Sequence, residues 1–135
     1  MVKAVIFDFF GVLEQEGGPN EVLLTYIRAM LKPKYKIGII SNAVADWIAE
    51  ILEAGDIKLF DDIVISYKVG VNKPNPAIYR LGLEHLGVNP EEAVFIDDIE
   101  AYCEAAEAVG MQAIFYEDFA QMESELEKLL GVSNN

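Results

Sequence analysis

The sequence predicts an α/β fold: a three-layer, Rossmann-like parallel sheet of about five strands with helices on both faces. Three observations predict it. Five short apolar runs alternate with longer amphipathic stretches along 135 residues, the order that calls for crossover helices between parallel strands. Those runs are nearly continuous in Val, Ile and Phe, as in strands buried on both faces. Gly55, Gly87 and Gly110 stand where the amphipathic stretches stop.

Residues 3–8 (KAVIFD) read as the first strand, ending in Asp8 shortly before Gly11. Residues 12–19 (VLEQEGGP) hold Gly17, Gly18 and Pro19 and read as a loop. Asn20 is an expected N-cap for a helix to about Leu31, with Val22, Leu23, Tyr26, Ile27 and Met30 on its apolar stripe. Residues 35–40 form the second strand and run into Ser41-Asn42; a helix over Ala43–Ala54 is expected next, with Gly55 as its stop. The third strand is 62–66 and a loop covers 67–76. A helix from Asn75 then carries Ile78, Leu81, Leu83 and Leu86 up to Gly87. Pro90 and Glu91 open a turn into the fourth strand, 93–96, which ends in Asp97-Asp98. A helix to Val109, a fifth strand at 111–116 and a helix over 118–130 complete the order, and residues 132–135 read as a polar tail that frays. Residues 1–131 are expected to form a single domain, a length that can bury roughly two thirds of its unfolded surface.

Acidic residues number 23 against 10 basic ones, a net charge of −13. That balance argues against a nucleic-acid partner and against docking on anionic lipid, since both attract Lys and Arg. A content of 53% hydrophobic residues excludes a disordered chain. Cys103 is the only cysteine, so an intrachain disulfide and a Cys-based zinc site are excluded. The apolar start is interrupted by Asp8 and has no cleavage pattern, and no run of ~18 apolar residues exists. A soluble, cytoplasmic protein, monomer or homodimer, is the expectation.

Ligands of open parallel sheets sit outside the carboxyl ends of the strands, and the most suggestive polar residues lie there. Asp8 could ligate Mg²⁺, act as a nucleophile, or cap a turn. Ser41 and Asn42 could cap the expected helix and, with its free N–H groups, bind an anion. Asp97 and Asp98 repel one another, and a cation between them and Asp8 would relieve that cost. Lys73, on a loop stiffened by Pro74, could neutralise a carboxylate or a bound phosphate.

Four stretches together resemble the haloacid dehalogenase-like hydrolase superfamily. VIFDFFGVL (5–13) is similar to its first motif, and IISN (39–42) to its second. FDDIVISYKVGVNKPNPAIY (60–79) is similar to the third, with Lys73 as its lysine. FIDDIEAYCEAAEAVGM (95–111) is similar to the fourth, including the 13-residue step from Asp97 to Gly110. The resemblance spans nearly the whole chain. It implies a phosphatase in which Asp8 is the nucleophile and a metal ligand, and Ser41 and Lys73 hold the phosphoryl oxygens. Phe10, Gly11 and Asn42 would complete the substrate site. Asp8, Asp97, Asp98 and the backbone carbonyl of Phe10 would bind Mg²⁺, the implied cofactor, and the implied substrate is phosphorylated.

The sequence departs from that pattern in two places. The family's phosphatases carry a second Asp two residues after the nucleophile, as general acid/base; here Phe10 stands there. That loss, worth ~10²–10⁴-fold, implies a weak phosphatase or a non-catalytic metal- and anion-binding relative serving as an interaction module. The family's 2-haloacid dehalogenases also lack this Asp. They use an Arg from a cap-side segment, however, and here the only Arg residues, Arg28 and Arg80, fall on predicted helices. The second departure is size: residues 12–40 leave no room for a helical cap domain between Gly11 and Ser41, and a capless member is expected. Phe9 is expected in the core, His85 without a catalytic role and Cys103 as packing. Tyr102 stands where members with the acid pair often carry Asn.

Overall fold

The computed structural model describes residues 1–132, so the expected tail lies, except for Val132, outside the described residues. The chain order is β1 (Ala4–Phe7), a small hairpin of β2 (Glu14–Gln15) and β3 (Gly18–Pro19), α1 (Glu21–Tyr26) with a π-helical turn Ile27–Leu31, and β4 (Lys36–Ser41). Then come α2 (Ile48–Ile51), α3 (Ala54–Ile57), β5 (Asp62–Ile65), α4 (Ser66–Val69) and α5 (Pro76–Leu86). A 3₁₀ turn at Pro90–Glu92, β6 (Ala93–Asp97), α6 (Glu100–Val109), β7 (Gln112–Phe115) and α7 (Phe119–Leu130) follow.

The five long strands form one parallel sheet in the order β5-β4-β1-β6-β7. After β1 the chain builds outward through β4 and β5, then crosses back to place β6 on the other side of β1. Ligand crevices form where strand order reverses in this way, here at the carboxyl ends of β1, β4 and β6. Alternate residues of the buried strands feed two cores. Val5, Phe7 and Phe9 pack with Leu23, Ile27, Met122 and Leu126 of the α1/α7 layer. Ala4 and Ile6 pack with Ile78, Leu83 and Ala106 of the α5/α6 layer. The three-layer α/β fold is therefore as the sequence predicts. Among the described residues no cap domain interrupts it; only the hairpin and α1 lie between β1 and β4.

Several local expectations are corrected. The helix expected over 43–54 does not form. Its place is taken by two single turns, α2 and α3, broken by extended Leu52 and Glu53, and Gly55 lies inside the second. The cause is competition for the backbone. The Ala43 N–H donates to Ser66 Oγ at 2.9 Å, and its carbonyl accepts from the same hydroxyl at 3.1 Å. Ser66, expected to end the third strand, and residues 67–69, expected as loop, form the turn α4, and the loop expected over 12–19 holds the β2/β3 hairpin.

Asn20 does cap α1, with the Leu23 N–H donating to its Oδ1. Its Nδ2 also donates to the Val12 carbonyl and the Tyr116 hydroxyl, which sets the rotation of the helix. Leu23, Leu24, Ile27 and Leu31 face inward, whereas Val22 and Met30 are 60% and 55% exposed. The wider π turn, closed by Lys32 N–H to Ile27 carbonyl at 2.8 Å, carries Leu31 into the core in place of Met30. On α5, Tyr79 and Gly82 are buried with Ile78, Leu83 and Leu86, and Leu81 is only half-buried. Gly82 is required by proximity, because a Cβ there would lie 2.9 Å from Ile40 Cδ1 of β4.

Candidate active site

Asp8 extends β1 by one residue, its N–H donating to the Ile96 carbonyl of β6 at 2.8 Å. Asp97 ends β6, and the Tyr116 N–H binds its carbonyl. The two carboxylates thus issue from adjacent strand ends on a backbone that cannot shift without breaking the ladder. Lys73 reaches between them, with Nζ donating to Asp8 Oδ1 at 2.7 Å and Asp97 Oδ2 at 2.8 Å. All three side chains are buried. The ammonium also lies over two rings, with the Phe95 centroid at 5.4 Å and the Tyr102 centroid at 5.2 Å.

The Lys73 loop is held by Asn42. Its Oδ1 accepts from the Lys73 N–H at 2.8 Å, while its Nδ2 donates to the Lys73 carbonyl at 3.0 Å and the Tyr102 hydroxyl at 3.3 Å. Asn42 therefore uses its amide to position Lys73, and it caps no helix. The anion site expected at a helix N-terminus after Ser41-Asn42 is corrected for the same reason: the next helix starts only at Ile48 and is one turn long.

Asp98 packs against the turn after β1. Gly11 sits at φ +84°, and a Cβ there would come within 2.1 Å of Asp98 Oδ2, so glycine lets this carboxylate close on the site. Asp8, Asp97 and Asp98 each offer a carboxylate oxygen, and these oxygens all lie within 4.8 Å of one another. Two buried polar atoms have no hydrogen-bond partner, Asp98 Oδ1 in this cluster and Ser41 Oγ at the end of β4. Buried polar groups are paired in the great majority of cases, so the orphaned Asp98 Oδ1 within the carboxylate cluster points to a ligand there. A cluster of hard oxygen donors with an excess of negative charge fits Mg²⁺. Burial pushes the Asp8 carboxyl up to about 7 against the pull of Lys73, and the Asp97 charge adds to the rise. Burial likewise raises Asp97, again opposed by Lys73.

Every sequence-predicted polar site residue lies at this end of the sheet. Asp8, Lys73, Asp97 and Asp98 meet directly, Gly11 abuts Asp98, and Asn42 braces Lys73. Ser41 is buried at the end of β4. The Phe10 side chain is 37% exposed and stacks edge-on against buried Phe9, ring centroids 5.0 Å apart. Sequence reasoning missed the two rings on Lys73. Phe95 was legible, since it stands two residues before Asp97 and so shares its face of the strand. Tyr102 was singled out only as a departure from the Asn of related members, which says nothing of a ring against Lys73.

The other candidates lie apart. His85 Nδ1 is 2.9 Å from Asp62 Oδ2 at the start of β5, the opposite end of the sheet. Cys103 is buried against the Asp97 and Ile114 carbonyls, and burial pushes its thiol up to about 12. A groove of about 370 Å³ opens beside the ends of β4 and β5, lined by Asn42, Ala43, Val44, Ser66, Tyr67 and Asn72. A larger one of about 590 Å³ lies at the far end of the sheet among Lys3, Lys32, Lys34 and Lys36. Lys3 and Lys32 there are already paired with Glu92 and Asp61.

The sequence profile of the family described as haloacid dehalogenase-like hydrolase matches residues 14–116. The chain belongs to the haloacid dehalogenase-like hydrolases. It is 41% identical over 108 residues to a phosphorylated carbohydrates phosphatase of Thermotoga maritima, covering 79% of this chain and 48% of that protein. It spans about half the length, or less, of the curated relatives it matches, 13% of a bifunctional epoxide hydrolase 2 of Sus scrofa and 7% of an acyl-CoA dehydrogenase family member 10 of Mus musculus. In fold, it superposes on an uncharacterized protein of Corynebacterium glutamicum with a TM-score of 0.86 at 22% identity, covering 100% of this chain and 99% of that one. A family enzyme of Bacteroides thetaiotaomicron, solved with magnesium and inorganic phosphate, superposes with a TM-score of 0.71 at 19% identity, over 90% and 99% of the two chains. No helix among the described residues is long and apolar enough to cross a membrane.

Proposed function

We propose that this hydrolase is a Mg²⁺-dependent phosphatase that cleaves a phosphate monoester through an aspartyl-phosphate on Asp8. The observation that carries the reading is the buried Asp8–Lys73–Asp97 network with the unpartnered Asp98 Oδ1 in the same carboxylate cluster. The relative named as a carbohydrate phosphatase supports the phosphate-ester class.

In this reading Asp8, Asp97, Asp98 and the Phe10 backbone carbonyl would hold Mg²⁺. When bound, the ion screens the charge between the Asp8 carboxylate and an anionic phosphate. The Asp8 carboxylate oxygen attacks phosphorus and the ester P–O bond breaks, leaving the phosphoryl group on Asp8 and an alkoxide that takes a proton from water. Water then cleaves the acyl phosphate, releasing inorganic phosphate and restoring Asp8. Ser41 donates its free hydroxyl to a phosphoryl oxygen. Lys73 has three N–H donors and spends two on Asp8 and Asp97; the third serves the phosphoryl group. The Phe10 ring can neither give nor take a proton, so the leaving group departs unaided. Good leaving groups should therefore react fastest.

The test is turnover of p-nitrophenyl phosphate by the purified protein. Activity that requires Mg²⁺ and is lost in Asp8→Asn supports the reading. Absence of Mg²⁺-dependent turnover, or equal turnover in Asp8→Asn, overturns it. Phe10 favours a second reading, a non-catalytic relative that keeps metal and anion binding as an interaction module. A dehalogenase reading is weaker, because Arg28 is tied to Asp56 by an ion pair and Arg80, the other Arg, is exposed on α5.

A further inference from the structure

Lys73 is the only cation in a site with three carboxylates, and its ammonium must stay between Asp8 and Asp97 rather than swing toward Asp98. The ion pairs alone do not prevent that swing, because a lysine has a flexible four-carbon stem and a nondirectional charge. What limits it is contact with two rings. The ammonium lies over the ring of Phe95, fully buried in β6, at 5.4 Å from its centroid, and over the ring of Tyr102 at 5.2 Å. Both distances lie within the ~6 Å over which a ring face attracts a cation.

Tyr102 is itself held twice. Its backbone carbonyl accepts from the Tyr79 hydroxyl at 2.9 Å, and its own hydroxyl accepts from Asn42 Nδ2 at 3.3 Å. Asn42 in turn binds both the N–H and the carbonyl of Lys73. One residue thus touches the lysine through its ring and braces the lysine's loop through its hydroxyl. The Tyr79 ring packs edge-on against Phe95 at 5.3 Å, which ties the two aromatic walls together.

We propose that Tyr102 is a positioning residue: with Phe95 it clamps the Lys73 ammonium between aromatic faces, and through Asn42 it fixes the loop that delivers that lysine to Asp8 and Asp97. It acts through Lys73 and touches no reacting atom. The clamp stands on geometry alone; its consequence for catalysis rests on the proposed phosphatase reading, and two separate measurements keep them apart.

The first measurement needs no activity. In protein labelled with ¹³C at the lysine ε position, the Lys73 methylene is assigned by its disappearance in Lys73→Arg. Ring currents from two flanking aromatics should shift its protons upfield of the other lysines. Tyr102→Phe keeps the ring and should hold that shift, while Tyr102→Met and Tyr102→Leu, which fill the space without a π face, should move it back toward the exposed lysines. A wild-type Lys73 resonance among those of exposed lysines overturns the clamp, and this outcome needs no variant to fold. So does a resonance unmoved in a folded Tyr102→Met or Tyr102→Leu.

The second measurement is kinetic. With an active wild type, Tyr102→Met should lower kcat roughly 3- to 30-fold, the span one cation–π contact covers, and Tyr102→Phe should recover much of the loss. Unchanged kcat and an unchanged pH profile in Tyr102→Met overturn the positioning role. An inactive wild type with the shifted Lys73 resonance intact overturns the phosphatase reading and leaves the clamp standing.

Discussion

Phe10 and Asp8 sit two residues apart, and the proposed phosphatase reaction turns on both. Asp8 is locked by the ladder and by Lys73, while Phe10 turns a ring outward at the position where a proton donor would serve a leaving group. Phe10→Asp should therefore raise turnover of an alkyl phosphate by about 10²-fold or more, and that of p-nitrophenyl phosphate by less, because general acid help matters most for a poor leaving group. Steady-state rates on the two substrates check it, and no gain on either favours the interaction-module reading. Asp8 also carries a pH signature. Burial raises its carboxyl to about 7, against about 3.9 in an unfolded chain. A folded-state value above the unfolded one means that the stabilisation is complete below about pH 4 and is lost as pH rises through 7. Metal-free wild type should lose stability over that window relative to Asp8→Asn, as read from urea midpoints at each pH.

At the scale of single elements, side chains that anchor two segments at once decide the geometry. Asn20 caps α1 and reaches back to Val12 and across to Tyr116. Asn20→Ala should cost about 1–2 kcal/mol, a lost cap plus partners left unmade, and urea denaturation would show it. Gly82 lets α5 lie against β4, where a Cβ would meet Ile40 Cδ1 at 2.9 Å. Gly82→Val should destabilise by about 1–3 kcal/mol through overpacking, even though valine at other buried positions is tolerated. The segment after β4 shows the limit of pattern reading. Residues 43–54 have a helical composition, yet the Ser66 hydroxyl takes both polar groups of Ala43. Such a contact across 23 residues leaves no mark on the local sequence.

At the scale of the whole molecule, the reversal of strand order at β1 brings residues from three separate strand ends into one crevice. Mg²⁺ binding there should stabilise the fold by mass action, about 2.7 kcal/mol at a hundred times its Kd. A magnesium titration followed by thermal unfolding should raise Tm in wild type and much less in Asp97→Asn. The five strands, the order of the helices around them and the polar residues at the strand ends were legible in the chain. Each rests on a local property, an apolar run or a residue type at a fixed step, that needs no partner to be read. Lys73 was legible as a candidate too, since its motif stands in order with the other three. Only the tertiary structure decided what surrounds it: the aromatic walls of Phe95 and Tyr102, the amide of Asn42 diverted from capping to bracing, and the two polar atoms left without partners. Those outcomes depend on which groups meet across 24 to 65 residues of chain. Backbone and side-chain donors are claimed by whichever acceptor the packed fold brings within reach.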